Sequence, residues 1–338
     1  MKRKMMMSTL ISMLCALVWI ATVNAEAVSD FSMKTSDIES ANGQFTITLS
    51  GKNIKDLYAY EAKFNFDPSL LEVVKAETTI KGFSVSPVIK GNLVTIAHTK
   101  IGDVSGEKGD LDITTITFKA KKPGASKVEW TSIKILDQDL KNQTFAPNKS
   151  AVFTKIFGDI VKHWAKADIM EMVSKGVVQG IDNDHFAPDK NITRAEFAAL
   201  ISRALNLKKG TSQPFGDVKS GVWYEDTVKS AYAAGIINGV TSKAFAPNKN
   251  ITREEMSTML MRAKAYASGV SEDKLPTASL KNFQDEGKIS EWAKKSAGFA
   301  ISSGLMKGRT TKLFAPRENA TRAESAVVIK RLLAGAKS

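Results

Sequence analysis

The chain is nearly devoid of cysteine and poor in histidine, and each shortage removes a class of chemistry. Its one cysteine, Cys15, sits inside an apolar run from Leu10 to Ile20, preceded by Lys2-Arg3-Lys4 and followed by Val23-Asn24-Ala25. A basic start, a short apolar stretch and a small-residue end mark residues 1–25 as a signal peptide cut after Ala25. The run is shorter than the roughly 20 apolar residues a bilayer span requires. Ser12-Met13-Leu14 lacks the small residue that a lipoprotein signal places before its cysteine. Export without any remaining cysteine means no disulfides, which suits domains large enough to need no staples. The three histidines, His98, His163 and His185, have no spacing that makes a metal site. His98 is expected at the surface or as a satisfied strand residue. No Gly-rich phosphate loop follows a strand, and nothing selects two carboxylates as a hydrolytic pair. The expectation is a protein that is not an enzyme and has no metal and no cofactor. The tail from Arg331 to Ser338 carries neither an apolar segment nor a sorting motif, so retention at a surface would be noncovalent, with no membrane span after signal cleavage.

What the chain does contain is a unit written three times. Ile192-Thr193-Arg194-Ala195-Glu196 returns as Ile251-Thr252-Arg253-Glu254-Glu255 and as Ala320-Thr321-Arg322-Ala323-Glu324. Trp164, Trp223 and Trp292 each stand 29 residues before the motif's Thr, with Gly176, Gly235 and Gly304 following them by 12 and Phe186, Phe245 and Phe314 by 22. A fixed period of this kind means one supersecondary unit per copy. Thr-x-x-Glu before a helical apolar stripe is a capping box, assigning Thr193, Glu196, Thr252, Glu255, Thr321 and Glu324 to helix starts. Trp164, Ile169, Met172 and Val173 read as the buried stripe of a first helix, ended by Gly176 in a left-handed C-cap. Each unit is thus helix, Gly-rich loop, Phe-Ala-Pro turn, helix. The arginine is the anomaly, because a cation in the first turn opposes the helix macrodipole. Either it pairs within the molecule, with Asp159, Asp217 or Asp285 of its own unit, or guanidinium and free helix N–H groups converge on an anion.

The order Phe-x-Asp, Trp-Ala, Gly, Phe-x-Pro, Ile-Thr-Arg-Ala-Glu resembles the S-layer homology family over about residues 157–334. The resemblance implies an all-α pseudo-threefold bundle of repeats at 157–207, 215–267 and 283–334, whose inter-repeat grooves bind secondary cell-wall polysaccharide, often pyruvylated. It makes Arg194, Arg253, Arg322, Trp164, Trp223, Trp292, Gly180, Gly239, Gly308, Asp159, Asp217 and Asp285 the candidate polymer-binding residues. The tryptophans are either sugar platforms at a groove rim or core. The loops carry Asn183-Asp184, Ser242-Lys243 and Thr311-Lys312 where the family often has Asp-Gly. The third repeat has Ala320 for Ile and Ser325 at an apolar place, departures that count against its groove. Residues 267–281 read as a loose polar linker.

Residues 28–153 change character. Phe45-Thr46-Ile47-Thr48-Leu49, Tyr58 to Phe66 and Ile116 to Ala120 alternate with period two, and Asp67-Pro68, Gly91-Asn92 and Pro123-Gly124 punctuate them. Short alternating strands between turn signals predict an antiparallel sandwich. The stretch from Leu57 through Asp67-Pro68 to Leu71-Glu72-Val73-Val74, with Gly109-Asp110-Leu111 and Ile116 to Ala120, resembles the cohesin family. That resemblance implies a jelly-roll sandwich that binds a dockerin-bearing protein, with glycan binding or a spacer role as the alternative. Removing Lys2, Arg3 and Lys4 lowers the formal net charge from +13 to +10. Export argues against nucleic acid, and an anionic wall polymer accounts for the balance.

Overall fold

The computed structural model describes residues 29–335; the signal peptide expected at residues 1–25 lies outside them. The alternating segments form strands β1 (Asp30–Thr35), β2 (Glu39–Ser40), β3 (Gln44–Leu57), β4 (Ala59–Phe66), β5 (Leu71–Glu77), β6 (Phe83–Lys90), β7 (Leu93–Thr99), β8 (Glu107–Ala120), β9 (Gly124–Leu136), β10 (Asn142–Phe145) and β11 (Lys149–Lys155). One sheet has the order β1-β3-β8-β5 and the other β2-β11-β9-β4-β7-β6, with β10 paired to β9. Along β4 every second residue is buried, Tyr60, Ala62, Phe64 and Phe66 pointing inward. They meet Ile47, Ile116 and Phe118 from the facing sheet in a single core. Phe45 of β3 stacks on Phe153 of β11 with ring centroids 4.2 Å apart, joining the two layers. Of the two places expected for His98, at the surface or as a satisfied strand residue, the structure excludes the first. His98 lies on the inward face of β7, buried, with Nδ1 2.8 Å from Ser84 Oγ and its ring stacked on Tyr60.

Beyond residue 155 the regular structure is helical: α1 (Lys166–Ser174), α2 (Arg194–Ala204), α3 (Glu225–Ala233), α4 (Arg253–Ser268), α5 (Glu291–Ser302) and α6 (Arg322–Gly335), with three short 3-10 turns. The first helix of each repeat is followed by a glycine at φ 68, 70 and 68° (Gly176, Gly235, Gly304), a conformation that a side chain would strain. The packing then passes from repeat to repeat. Helix α2 packs on α3, α4 on α5, and α6 returns to α1.

The short segments before the three capping boxes close a ring. Ile251 N–H donates to the Ile192 carbonyl, Ala320 N–H to that of Ile251, and Ile192 N–H to that of Ala320, each at 3.0 Å. All three residues are buried. Ala320 therefore belongs to the hub, and Ser325 is buried in α6 with its hydroxyl donating to the Thr321 carbonyl.

One stretch differs from expectation. Residues 267–281 are packed, with Leu275 and Leu280 buried and Ala278 N–H donating to the Gly298 carbonyl. A Cβ on Gly298 would stand 2.7 Å from the Ala278 carbonyl oxygen. Two leucines hold the segment down among polar neighbours that hide them in the sequence. The passage from sandwich to helices is equally tight. Strand β11 ends at Lys155, whose buried ammonium lies 2.9 Å from Asp184 of the first repeat's loop. Ile156 N–H donates to the Ser40 carbonyl, and Lys166 pairs with Glu39.

Candidate binding grooves

Each longer helix begins as its sequence dictates. Thr193 Oγ1 accepts the Glu196 N–H while Glu196 accepts the Thr193 N–H. Thr252 with Glu255, and Thr321 with Glu324, repeat the arrangement. The next two N–H groups are not free, contrary to the anion-site expectation. Arg194 and Ala195 donate theirs to the carbonyls of Lys249 and Pro247 in the second repeat. Arg253 and Glu254 donate to Glu318 and Pro316, and Arg322 and Ala323 to Lys190 and Pro188. Helix starts that would draw an anion are closed by the neighbouring repeat.

The capping arginines cross the same seams. Arg194 Nε donates to the Phe245 carbonyl at 2.9 Å and Nη2 to that of Asn238, with Nη1 3.3 Å from Glu255. Arg253 does the same with Phe314, Lys307 and Glu324, and Arg322 with Phe186 and Gln179. Each guanidinium also covers the ring of that phenylalanine, 4.8–5.3 Å from its centroid. Burial pushes all three below the usual arginine range, while the carboxylate of the facing capping box opposes the shift. The intramolecular partners are thus backbone carbonyls and, for Arg194 and Arg253, a glutamate of the next repeat, not the aspartate of the same one.

Those aspartates have another task. Asp159 accepts the N–H groups of Phe186 and Ala187, Asp217 those of Phe245 and Ala246, and Asp285 those of Phe314 and Ala315. The alanines sit at φ 59, 56 and 59°, in left-handed backbone where alanine is uncommon. A carboxylate bridging two successive amides holds that bend, and the bend aims the phenylalanine carbonyl at the arginine.

The tryptophans are not part of a buried stripe. Trp164, Trp223 and Trp292 are 66, 64 and 59% exposed, while the next residue of each repeat, Ala165, Tyr224 or Ala293, turns inward. Each indole stands on the wall of a groove built from all three repeats. Trp292 joins Arg194 and the Asn238–Gly239–Val240 loop in a cavity of about 430 Å³. Trp164 joins Arg253 and Lys307–Gly308–Arg309 in one of about 240 Å³, and Trp223 joins Arg322 and Gln179–Gly180–Ile181 in one of about 300 Å³. The glycines at these walls are required from behind. A Cβ on Gly180 would come within 2.3 Å of the Phe157 ring, and Gly239 and Gly308 meet Phe215 and Phe283 likewise.

The grooves contain a cation that sequence reasoning missed. Arg203, Arg262 and Arg331 line the Arg322, Arg194 and Arg253 grooves respectively. Each follows a capping arginine by nine residues, a threefold recurrence that was available as a signal. Partial desolvation in the groove and the neighbouring Arg322 charge both lower the Arg203 pKa. Aromatic faces beside clustered guanidiniums can hold a ring bearing negative charge.

The sandwich offers a different surface. On the outer face of its larger sheet, Phe83, Val85 and Val88 of edge strand β6 are exposed. They pair in register with Thr99, Ala97 and Thr95 of β7, beyond which lie Ala59, Glu61 and Lys63 of β4.

Comparison with known proteins follows the same division. The S-layer homology domain matches residues 156–198, 214–257 and 282–326, and the cohesin domain matches 31–149. An amylopullulanase of Thermoanaerobacterium thermosulfurigenes is 42% identical over 54% of this chain and 10% of its own length. The exoglucanase XynX of Acetivibrio thermocellus is 40% identical over 89% of this chain and 26% of its own. The chain thus spans about a quarter or less of these relatives. A cohesin module from a Clostridium perfringens family 33 glycoside hydrolase matches in structure with TM-score 0.33 and 16% identity, covering 38% of this chain and 96% of that one.

Proposed function

On the premise that the chain carries a cohesin domain followed by three S-layer homology domains, we propose that it is a non-catalytic adaptor. The helical repeats form a pseudo-threefold bundle that holds an anionic secondary cell-wall polysaccharide noncovalently, and the sandwich presents a docking face to a dockerin-type partner. It is a secreted protein of the cell wall or S-layer. The observation that carries the anchoring reading is the threefold recurrence of one groove, with an exposed tryptophan, a seam arginine and a second arginine drawn from different repeats. The exposed Phe83, Val85 and Val88 favour a protein partner over a glycan.

The test uses detergent-washed wall sacculi with and without acid extraction of their secondary polymers. Wild-type protein is expected to sediment only with unextracted sacculi. A folded Arg203→Gln, Arg262→Gln, Arg331→Gln triple variant is expected to stay in the supernatant, and a dockerin module should sediment only when wild-type protein is present. Equal sedimentation with extracted sacculi, or of the triple variant, would overturn the anchoring reading. A dockerin that never co-sediments would leave the sandwich as a spacer.

A further inference from the structure

The three grooves share a plan but not a state of charge. In the Arg194 groove the cations are matched, Arg194 and Lys249 each 3.3 Å from Glu255, and Arg262 3.8 Å from Glu272. In the Arg253 groove all three guanidinium nitrogens of Arg253 are engaged by protein. Arg309 stands there where the other repeats have Ile181 and Val240. It bridges Glu318 and Glu324 at 2.8 and 3.0 Å, adding a second guanidinium to the carboxylate that already holds Arg253. Arg331 and Lys307 remain there without a carboxylate among the described residues, but Arg331 donates to the Leu305 carbonyl.

The Arg322 groove is different. Among the described residues no carboxylate lies at ion-pair distance from Arg322 or Arg203. Glu196 and Asp159 act on Arg322 only through space. Arg322 donates through Nε and Nη2, and Nη1 has no protein partner among the described residues. Arg203 is exposed, and among the described residues only its Nε is engaged, on the Ala199 carbonyl of its own helix. Two guanidiniums thus share a groove with an exposed indole, Trp223, and the Arg322 charge raises the cost of keeping Arg203 charged. An anion placed between them removes that repulsion and gains paired N–H donors, whereas in the other two grooves it must first compete with Glu255 or Glu324.

We infer that the Arg322 groove is the dominant site of the bundle, taking an anionic group on a sugar between Arg203 and the open edge of Arg322, with the sugar ring against Trp223. This rests on the anchoring reading above and ranks its grooves. Ala320 and Ser325 do not count against it, since one lies at the hub and the other inside α6.

The experiment compares Arg203→Gln, Arg262→Gln and Arg331→Gln in the full chain, each checked for an unchanged melting temperature, by titration onto unextracted wall sacculi. Losing a charge-assisted contact lowers affinity about ten- to hundredfold, and that loss is expected for Arg203→Gln, with smaller effects for the other two. Sacculi with their carboxyl groups amidated identify the anion. A loss that disappears on them assigns a carboxylate, one that persists assigns a phosphate, and either supports the ranking. Losses that are equal, or larger for Arg262→Gln or Arg331→Gln, overturn the ranking and leave the anchoring reading standing. No loss in any single variant or in the triple variant overturns both.

Discussion

Arg322, in the last helix of the chain, donates from Nε to the carbonyl of Phe186 in the first repeat, 2.9 Å away across 136 residues. The same bond joins Arg194 to Phe245 and Arg253 to Phe314. Three bonds of one kind therefore carry the order first to second, second to third, third to first. The unfavourable placement of a cation in the first helical turn is offset by what its side chain reaches.

Arg253→Met is expected to destabilise the helical repeats by about 3–5 kcal/mol, the range for removing one partner of a buried ion pair. Glu324 would lose a partner, the Phe314 carbonyl would be left buried without its donor, and the Lys307 carbonyl would lose one as well. Thr252→Ala removes one capping bond and should cost about 1 kcal/mol. Denaturant unfolding of the full chain, followed by far-ultraviolet circular dichroism, checks the order. A cost for Arg253→Met no larger than that of Thr252→Ala would show that the seam does not depend on the guanidinium.

Asp285→Ala should destabilise by about 2 kcal/mol, because two buried amide N–H groups lose their acceptor. Ala315→Gly should instead be neutral or stabilising by up to about 1 kcal/mol, since glycine adopts the left-handed backbone of this bend without a Cβ penalty. Opposite signs for the two variants in thermal unfolding are the expected result.

His98 gives the sandwich a pH dependence. Burial holds its imidazole below the ordinary value of 6.5, and the Lys100 charge acts in the same direction. The folded state then binds fewer protons than the unfolded chain below about pH 6.5. Stability is complete above that point and falls as pH drops towards the folded pKa. Amide exchange in β7 should accelerate between pH 7 and 5, after correction for intrinsic rates, in the wild type more than in His98→Asn. Equal pH dependence in both would remove the role of His98.

The legible parts of this molecule were local. Thr193 and Glu196 lie three residues apart, Gly176 ends its own helix, and the period-two pattern of β4 is its burial pattern. Partners distant in sequence left no comparable mark. Nothing near Asp285 announces amides 29 and 30 residues onward, and nothing near Arg194 announces the carbonyl of Phe245. Trp164 was misassigned because helical spacing extends smoothly past the true start of α1 at Lys166. Arg203, Arg262 and Arg331 carried a periodic signal, but on helix faces where an arginine ordinarily reads as solvated surface. Strand order was equally hidden, since β2 pairs in parallel with β11 across more than a hundred residues of chain.

The joint at Lys155 has a mechanical consequence. On the adaptor reading proposed above, tension on a cargo held by the sandwich would leave it through β11 and enter the repeats at Phe157, with no slack segment to absorb the pull. Repeat one cannot yield alone, because Ile192 is bonded to Ile251 on one side and to Ala320 on the other. The hub would share the load among the three grooves as a clasp does, so a tether to the wall should part at its ligands before the ring itself opens.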